Sequence, residues 1–353
     1  MQKLKQLLFK KISLLLGIAS LLLVLSVSAC SSTASTALPS EFRIGYQEIP
    51  NAELLAKSLD LAEARFPDIR IKWVPFSSGR DVLLAIANDK IDVGLAGSVP
   101  AAAAIAQNLP AQVYYIHNII GDNEALAVTQ ASKINAVRDL TGKRIAVPFG
   151  STTHFSLLAS LSNANIPASS LEILDMQPNE ILSAWKQGTI NGGFIWQPVL
   201  GQLAQDKGKV LLTARELSEQ GVVTADLGVV NQEFAADYPN FLSSYVNVLN
   251  EAVQIYRDEP ERAAAAIAPE ISLTPQQSLA VMNQIIWLDI AEQTSQTYLG
   301  TPTNPGELSQ VLKASADFMV EQNAIPPAPP LETFQAGLFN QAIEQALQQK
   351  ENI

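Results

Sequence analysis

Short strand patterns that alternate with helical patterns constrain the fold of this chain more than any other feature of its sequence. From residue 42 onward each stretch typical of a strand is followed by an apolar period typical of a helix: strands at 42–47, 69–76 and 91–95, and helices at 52–65, 82–88 and 100–107. Two further strand patterns follow at 113–116 and 125–128. This order predicts the α/β class, with a mainly parallel sheet covered by helices on both faces.

A second α/β unit begins near Lys133 and ends near Ala225. It is predicted to contain three strands and two helices: strands at 144–147, 171–174 and 193–195, and helices at 153–164 and 179–187. After Ala225 one more strand precedes mainly helical segments, with the strand at 227–231 and the helices at 241–257, 275–286 and 305–322. The 353 residues, 48% of them hydrophobic, suffice for two modest cores or one large core.

The N-terminal sequence is typical of an export signal. Four lysines precede an apolar run at 12–27, and its 16 residues fall short of the ~20 needed to cross a bilayer. The run ends in Val27-Ser28-Ala29-Cys30, which resembles the lipobox of bacterial lipoproteins. We therefore predict a signal peptide over 1–29 and lipidation of Cys30; an ordinary signal peptide cut near Ala29 is the alternative.

Cys30 is the single cysteine of the chain, so no intramolecular disulfide can form. The Ser, Thr, Ala and Pro residues that follow cannot build a core, and 30–40 is predicted to be a flexible linker, with the folded part starting at Glu41. The expected location is the cell envelope, outside the cytoplasm, on the periplasmic side or the cell surface, with a lipid anchor in the membrane.

The folded part is acidic. Without residues 1–29 the chain keeps 19 basic and 34 acidic residues, a net charge of about −15. Such a field repels nucleic acid and anionic lipid headgroups, so neither is expected as a partner. It also repels a simple anion at long range.

Three strand-to-helix turns share one chemistry. They lie at 76–87 ("FSSGRDVLLAIA"), 95–106 ("LAGSVPAAAAIA") and 147–161 ("VPFGSTTHFSLLASL"), and each places Ser, Thr or Gly where a helix begins. The first N–H groups of a helix lack intrahelical partners, and the helix dipole adds positive potential there, so such ends bind anions. The turns explain how an acidic protein could hold an anion without Lys or Arg, although each one alone is also an ordinary capped helix start.

Several polar and aromatic residues have both a structural and a functional interpretation. His154, in a first helical turn, and His117, on an apolar strand, fit structural roles better than catalysis. Trp196 is either core or the aromatic wall of a pocket. Glu124 is either a solvated loop carboxylate or a ligand contact.

The residue types of a hydrolase active site are present in the chain, at Ser98, Ser151, His154 and Asp226. However, the chain has no G-x-S-x-G motif, and its two distant histidines cannot form a metal-binding cluster. We therefore predict that the protein is not an enzyme and needs neither a metal nor a cofactor.

Five segments together resemble the taurine-binding proteins, the substrate-capturing subunits of ABC importers in the nitrate, sulfonate and bicarbonate group. They are "IGYQ", "LAGSVPAA", "GDNEALAV", "DLTGKRIAVPFGSTTHFSLLASL" and "GTINGGFIWQP". The resemblance covers roughly 41–330 and implies a periplasmic-binding-protein type II-like fold, in which two α/β lobes joined by a two-stranded hinge close on a small ligand. It implies a first lobe of 41–129 plus 226–353, a second lobe of 130–225, and a monomer that delivers its ligand to an ABC permease with an ATPase subunit.

The resemblance also implies a set of ligand-binding residues: Tyr46, Gln47, Gly97, Ser98, Glu124, Ser151, Thr152, Thr153, His154, Trp196 and Asp226. The chain departs from the family pattern at Asn123, Phe155 and Gln197. These departures leave aliphatic sulfonates and thiamine-precursor-like ligands as alternatives within the same binding class. A ligand sensor that docks on a membrane receptor is a third alternative.

The chemistry of the predicted residues suits taurine, which carries a sulfonate and an ammonium two carbons apart. Helix N-termini and hydroxyl groups can hold the sulfonate, and Glu124 and Asp226 can hold the ammonium. Trp196 and Tyr46 can cover the short apolar stem. A buried carboxylate would be unfavourable beside nitrate or a plain alkanesulfonate, so this residue set favours an aminosulfonate.

Overall fold

The computed structural model describes residues 38–351. The predicted signal peptide, Cys30 and nearly all of the predicted linker lie outside these residues. Among the described residues, no helix combines the length and the apolar character needed to cross a membrane.

The first of two five-stranded sheets has the order β2-β1-β3-β10-β4. Its strands are β1 (Glu41–Tyr46), β2 (Arg70–Pro75), β3 (Val93–Gly97), β4 (Ala111–Ile119) and β10 (Ala225–Asn231). β1 pairs in parallel with β2 and β3, whereas β10 runs antiparallel to both of its neighbours. The sheet is therefore mixed, and β10 is its one inverted strand.

The second sheet repeats this arrangement with the order β7-β6-β8-β5-β9. Its strands are β5 (Glu124–Thr129), β6 (Arg144–Val147), β7 (Glu172–Asp175), β8 (Gly192–Trp196) and β9 (Gly208–Thr213). Here β5 is the inverted strand, antiparallel to β8 and β9. A short hairpin of β11 (Gly300–Thr301) and β12 (Asn304–Pro305) lies apart from both sheets.

Sixteen helices lie in the described part of the chain. The first eight are α1 (Ala52–Ser58), α2 (Leu61–Arg65), α3 (Gly79–Ala87), α4 (Ser98–Ala106), α5 (Thr152–Asn163), α6 (Pro178–Lys186), α7 (Val199–Gln205) and α8 (Ala214–Ser218). The others are α9 (Gln232–Asp237), α10 (Pro239–Asp258), α11 (Pro260–Ile267), α12 (Pro275–Met282), α13 (Ile290–Gln293), α14 (Leu308–Glu321), α15 (Leu331–Ala336) and α16 (Gln341–Glu351).

Side chains from the two faces of the second sheet belong to two different hydrophobic cores. Ala125 and Ala127 of β5 pack in one cluster with α6 and α7, whereas Leu126 and Val128 pack in another with α5. Successive side chains of a strand point to opposite faces, so one apolar strand supports helices on both sides. A third and larger core surrounds the first sheet, and α10 is the longest helix in it. We call the two sheets with their helices the first and second lobes.

The chain crosses between the lobes twice, after β4 and before β10. The two crossings meet where Ile120 N donates to Thr224 O at 3.1 Å. The boundary predicted at 129 is too late, because β5 pairs with β8 and β9 and belongs to the second lobe. Glu124 therefore starts a strand of the second lobe, whereas Asp226 lies on the first.

One further local prediction was wrong, and one strand was not predicted. The helix expected over 52–65 is divided between α1 and α2, because Asp60 adopts a left-handed backbone with φ 53° and ends the helical period. The edge strand β9 was not predicted from the sequence, since its partly exposed residues show no clean alternation of apolar and polar side chains.

Candidate functional site

A cavity of about 30 Å³ lies between the two lobes, at the ends of their strands. Seven of the eleven predicted ligand-binding residues line it: Gln47, Gly97, Glu124, Ser151, Thr152, Trp196 and Asp226. Residues from both lobes contribute, as expected for a site at the strand-to-helix turns of α/β sheets. Tertiary structure thus brings together residues up to 179 positions apart in the chain.

Two buried carboxyl groups dominate the electrostatics of the cavity. Glu124 Oε1 accepts a hydrogen bond from Thr152 Oγ1 at 2.7 Å, and Asp226 Oδ2 accepts one from Asn118 Nδ2 at 3.0 Å. Glu124 Oε2 is buried and has no hydrogen-bond partner among residues 38–351. Loss of hydration, together with the charge of Asp226, raises the pKa of Glu124 to about 8, and burial raises that of Asp226 to about 6. A cation in the cavity would restore the ionised forms.

Helix N-termini supply the opposite potential. α5 is capped by Ser151, whose hydroxyl accepts from His154 N at 3.1 Å and donates to Pro148 O at 2.6 Å. α3 is capped in the same way by Ser78, whose hydroxyl accepts from Asp81 N at 3.4 Å. Because Ser78 and Ser151 both line the cavity, the positive ends of two helices border it.

Gly97 lets the two lobes approach each other closely. A Cβ atom at this position would stand 2.7 Å from Cγ2 of Thr152, the first residue of α5 in the other lobe. Only a glycine at the end of β3 leaves room for this contact. The same threonine holds Glu124, so the approach of the lobes and the position of the carboxylate are linked.

The other four predicted residues lie beside the cavity rather than in its lining. Tyr46, the last residue of β1, packs edge-on against Trp73 with ring centroids 6.3 Å apart. Its neighbour Gln47 points to the other side, toward the cavity, where Nε2 donates to Leu95 O at 3.1 Å. Ser98 is fully buried, and its hydroxyl accepts from Ala225 N at 3.2 Å, which ties α4 to β10.

Thr153 and His154 support the first turn of α5. The fully buried Thr153 hydroxyl lies 2.8 Å from Ser151 Oγ. His154 Nδ1 accepts from Gly150 N at 3.2 Å, and its ring stacks on Phe149 at 4.6 Å. Burial lowers the pKa of His154 to about 4, so the imidazole is neutral at pH 7. Phe149 lines the cavity, whereas His154 stacks on the Phe149 ring without lining the cavity itself.

Sequence reasoning did not assign several residues of the cavity wall to the site, among them Arg80, Val281 and Ile285. Arg80, the second residue of α3, lines the cavity, and its Nη1 lies 3.3 Å from the backbone oxygen of Phe149, another lining residue. The turn that carries Arg80 was recognised from the sequence. Val281 and Ile285 reach the cavity from the C-terminal part of the chain. A basic residue in the first turn of a helix was the available signal for Arg80; no local pattern distinguishes Val281 and Ile285 from core residues.

The cavity thus combines two carboxyl groups with the N-termini of two helices. Among residues 38–351, no group of three or more His, Cys, Asp or Glu side chains is placed to bind a metal ion. The Ser151 hydroxyl donates to Pro148 O, and Nδ1 of His154 accepts from Gly150 N.

Comparisons with known proteins point to one family. A family profile described as NMT1/THI5 like matches residues 68–263. The chain is 35% identical to the taurine-binding periplasmic protein of Escherichia coli (strain K12) over 218 residues, which cover 62% of this chain and 67% of that protein.

Solved structures show the same fold with different functions. The alkanesulfonate-binding protein SsuA from Xanthomonas axonopodis pv. citri, bound to MOPS, superposes with a TM-score of 0.72 at 25% identity, over 83% of this chain and 96% of that chain. The desulfurization enzyme DszB superposes with a TM-score of 0.64 at 14% identity, over 88% and 100%. The second match shows that the fold alone does not separate binding proteins from enzymes.

Proposed function

The chain belongs to the NMT1/THI5-like family, and from that premise we propose that it captures taurine outside the cytoplasm and delivers it to an ABC permease. The permease and its ATPase subunit are the proposed partners, and the protein is proposed to act as a monomer. We also propose that Cys30 carries a lipid anchor. No catalytic step is proposed.

One observation carries the choice of ligand. The cavity contains two buried carboxyl groups, Glu124 and Asp226, and Glu124 Oε2 has no hydrogen-bond partner in the part of the chain that the structure describes. A buried carboxylate without a partner is costly, and an ammonium group removes that cost by forming a charge-assisted hydrogen bond. The N-termini of α3 and α5 provide the complementary site for a sulfonate. Taurine satisfies both ends with one small molecule.

Aliphatic sulfonates remain the second candidate, favoured by the structural match to an alkanesulfonate-binding protein. They would fill the anion end and favour the protonated form of the carboxyl groups.

Calorimetric titration of the purified protein against taurine, ethanesulfonate, nitrate and a thiamine precursor tests the proposal. We expect taurine to bind at least tenfold more tightly than ethanesulfonate, which has the same sulfonate and lacks the amine. Equal affinities would assign the site to sulfonates in general. Tight binding of the thiamine precursor, with none for either sulfonate, would overturn the proposal.

A further inference from the structure

Arg80 bridges the two lobes at the edge of the cavity. Its Nη1 lies 3.3 Å from Phe149 O and 3.5 Å from Asp175 Oδ2, both in the second lobe, whereas α3 belongs to the first. Asp175 Oδ1 also accepts from Phe149 N at 2.9 Å, so this carboxylate fixes the loop that Arg80 reaches. One side chain thus joins α3 to the loop that precedes α5.

Helix stability does not explain a basic residue at this position. Arg80 is in the first turn of α3, where a positive charge opposes the helix dipole. The ion pair with Asp175 does not explain the arginine either. The two side chains are 42% and 43% exposed, and ion pairs that are this exposed contribute little to the free energy of unfolding. A further contact is needed to account for the arginine.

The cavity offers that contact. Among its described lining residues, Arg80 is the single one with a positively charged side chain, and it lies between the two capped helix starts at Ser78 and Ser151. A guanidinium has five N–H donors, and within residues 38–351 the hydrogen bonds that Arg80 makes use Nη1 alone. Nε and Nη2 are therefore available to an anion in the cavity.

We infer that Arg80 binds a sulfonate oxygen of the ligand while it holds Phe149 and Asp175, so that the anionic end of the ligand keeps the two lobes closed. This inference rests on the proposed function, because it requires a sulfonate in the cavity. It makes Arg80 a ligand contact outside the set that the sequence predicted. The rate at which the ligand dissociates then depends on its sulfonate group as well as on its amine.

Stopped-flow and calorimetric measurements on Arg80→Met test the inference with taurine and ethanesulfonate at two salt concentrations. Loss of a partly exposed, charge-assisted hydrogen bond should weaken both ligands by a similar factor, about three- to thirtyfold, chiefly through faster dissociation. The affinity of the variant should also depend less on salt. Arg80→Lys keeps the charge without the planar fork and should lie between wild type and Arg80→Met.

Two further variants separate the roles of the guanidinium. Asp175→Asn removes the bridging charge but leaves Arg80 in the cavity, so dissociation should accelerate by only about two- to threefold, with the salt dependence unchanged. Arg262→Met is the matched control, because Arg262 is an exposed arginine that pairs with Glu259 at 2.9 Å and lies outside the cavity lining. It should bind like wild type.

Wild-type affinity and dissociation rate in Arg80→Met would overturn this inference and leave the proposed function standing. An effect of Asp175→Asn as large as that of Arg80→Met would also overturn it, since Arg80 would then act as an ion pair between lobes and not as a ligand contact. A wild type that binds neither sulfonate would overturn both the inference and the proposed function.

Discussion

Gly97 and Thr152, on opposite lobes, approach so closely that a Cβ on Gly97 would stand 2.7 Å from Thr152 Cγ2. The contact closes the cavity at the end of β3 and the start of α5. Thr152 cannot easily turn away from Gly97, because its Oγ1 donates a hydrogen bond to Glu124. The contact therefore limits how closely the lobes can approach.

Gly97→Ala should therefore hold the lobes apart. An overpacked contact costs about 1–3 kcal/mol, so taurine affinity should fall by about five- to 150-fold. Small-angle scattering should show that saturating taurine reduces the radius of gyration of wild type but not of the variant. Thr152→Ser removes Cγ2, keeps the hydroxyl that binds Glu124, and should restore binding in the double variant. Wild-type affinity in Gly97→Ala alone would contradict this interpretation.

The carboxyl pair should discriminate between ligands by charge. Removing one partner of a buried charge pair costs about 2–5 kcal/mol, so Glu124→Gln or Asp226→Asn should weaken taurine by about thirtyfold to several thousandfold. Ethanesulfonate should bind each variant as well as wild type or more tightly, because a neutral amide does not repel the anion. If both variants bind taurine normally, the two carboxyl groups do not contact the amine.

Binding should be linked to pH with opposite signs for the two ligands. The pKa of Glu124 is raised to about 8 and that of Asp226 to about 6, so the empty cavity holds a proton near neutrality. An ammonium ligand favours the ionised pair, and taurine affinity should rise between about pH 6 and pH 8, whereas ethanesulfonate affinity should fall. Calorimetry in buffers of different ionisation enthalpy should detect proton release with taurine. Glu124→Gln should reduce it.

A buried polar group in the first lobe should make stability depend on pH. Glu53 is fully buried, 3.3 Å from Tyr245 Oη and 4.0 Å from His117 Nε2, and burial raises its pKa to about 8. In the unfolded chain this carboxyl group ionises above its ordinary pKa of 4.5, whereas in the folded protein it stays protonated up to about pH 8. The contribution of Glu53 to the free energy of unfolding is therefore fully present below pH 4.5 and is lost as the pH rises toward 8. The slope for one proton is at most about 1.4 kcal/mol per pH unit.

Urea unfolding of Glu53→Gln across this range should show a shallower slope than wild type. His117 contributes on the acid side, because burial lowers its pKa to about 3 and its stabilisation is lost as pH falls from 6.5 toward 3. Equal slopes for wild type and Glu53→Gln above pH 5 would mean that Glu53 is ionised in the folded protein.

The proposed anchor makes a separate prediction. With Cys30 lipidated, the protein should fractionate with membranes and incorporate labelled palmitate, because two or three acyl chains anchor a protein stably. Cys30→Ala should be released in soluble form and bind taurine unchanged. A soluble, unlabelled wild type would refute the anchor without affecting the ligand site.

Local sequence patterns determined much of the fold. The short apolar runs of β3 and β6 and the caps at Ser78 and Ser151 depend on residues within a few positions of each other, so they could be recognised in the sequence. The prediction of a two-lobed α/β fold of the periplasmic-binding type is confirmed by the match to the alkanesulfonate-binding protein. The membership in a taurine- and sulfonate-binding family is confirmed by sequence identity.

Tertiary structure alone decided which of these turns meet and what faces the ligand. The sequence could not show that Glu124 opens a strand of the second lobe, that His154 turns away to stack on Phe149, or that Arg80 reaches the cavity edge. Nor could it show that Val281 completes the wall. Periodicity reports which face of an element is apolar, but the cavity forms where the two lobes meet. Its composition therefore depends on how the lobes dock, which no stretch of local sequence encodes.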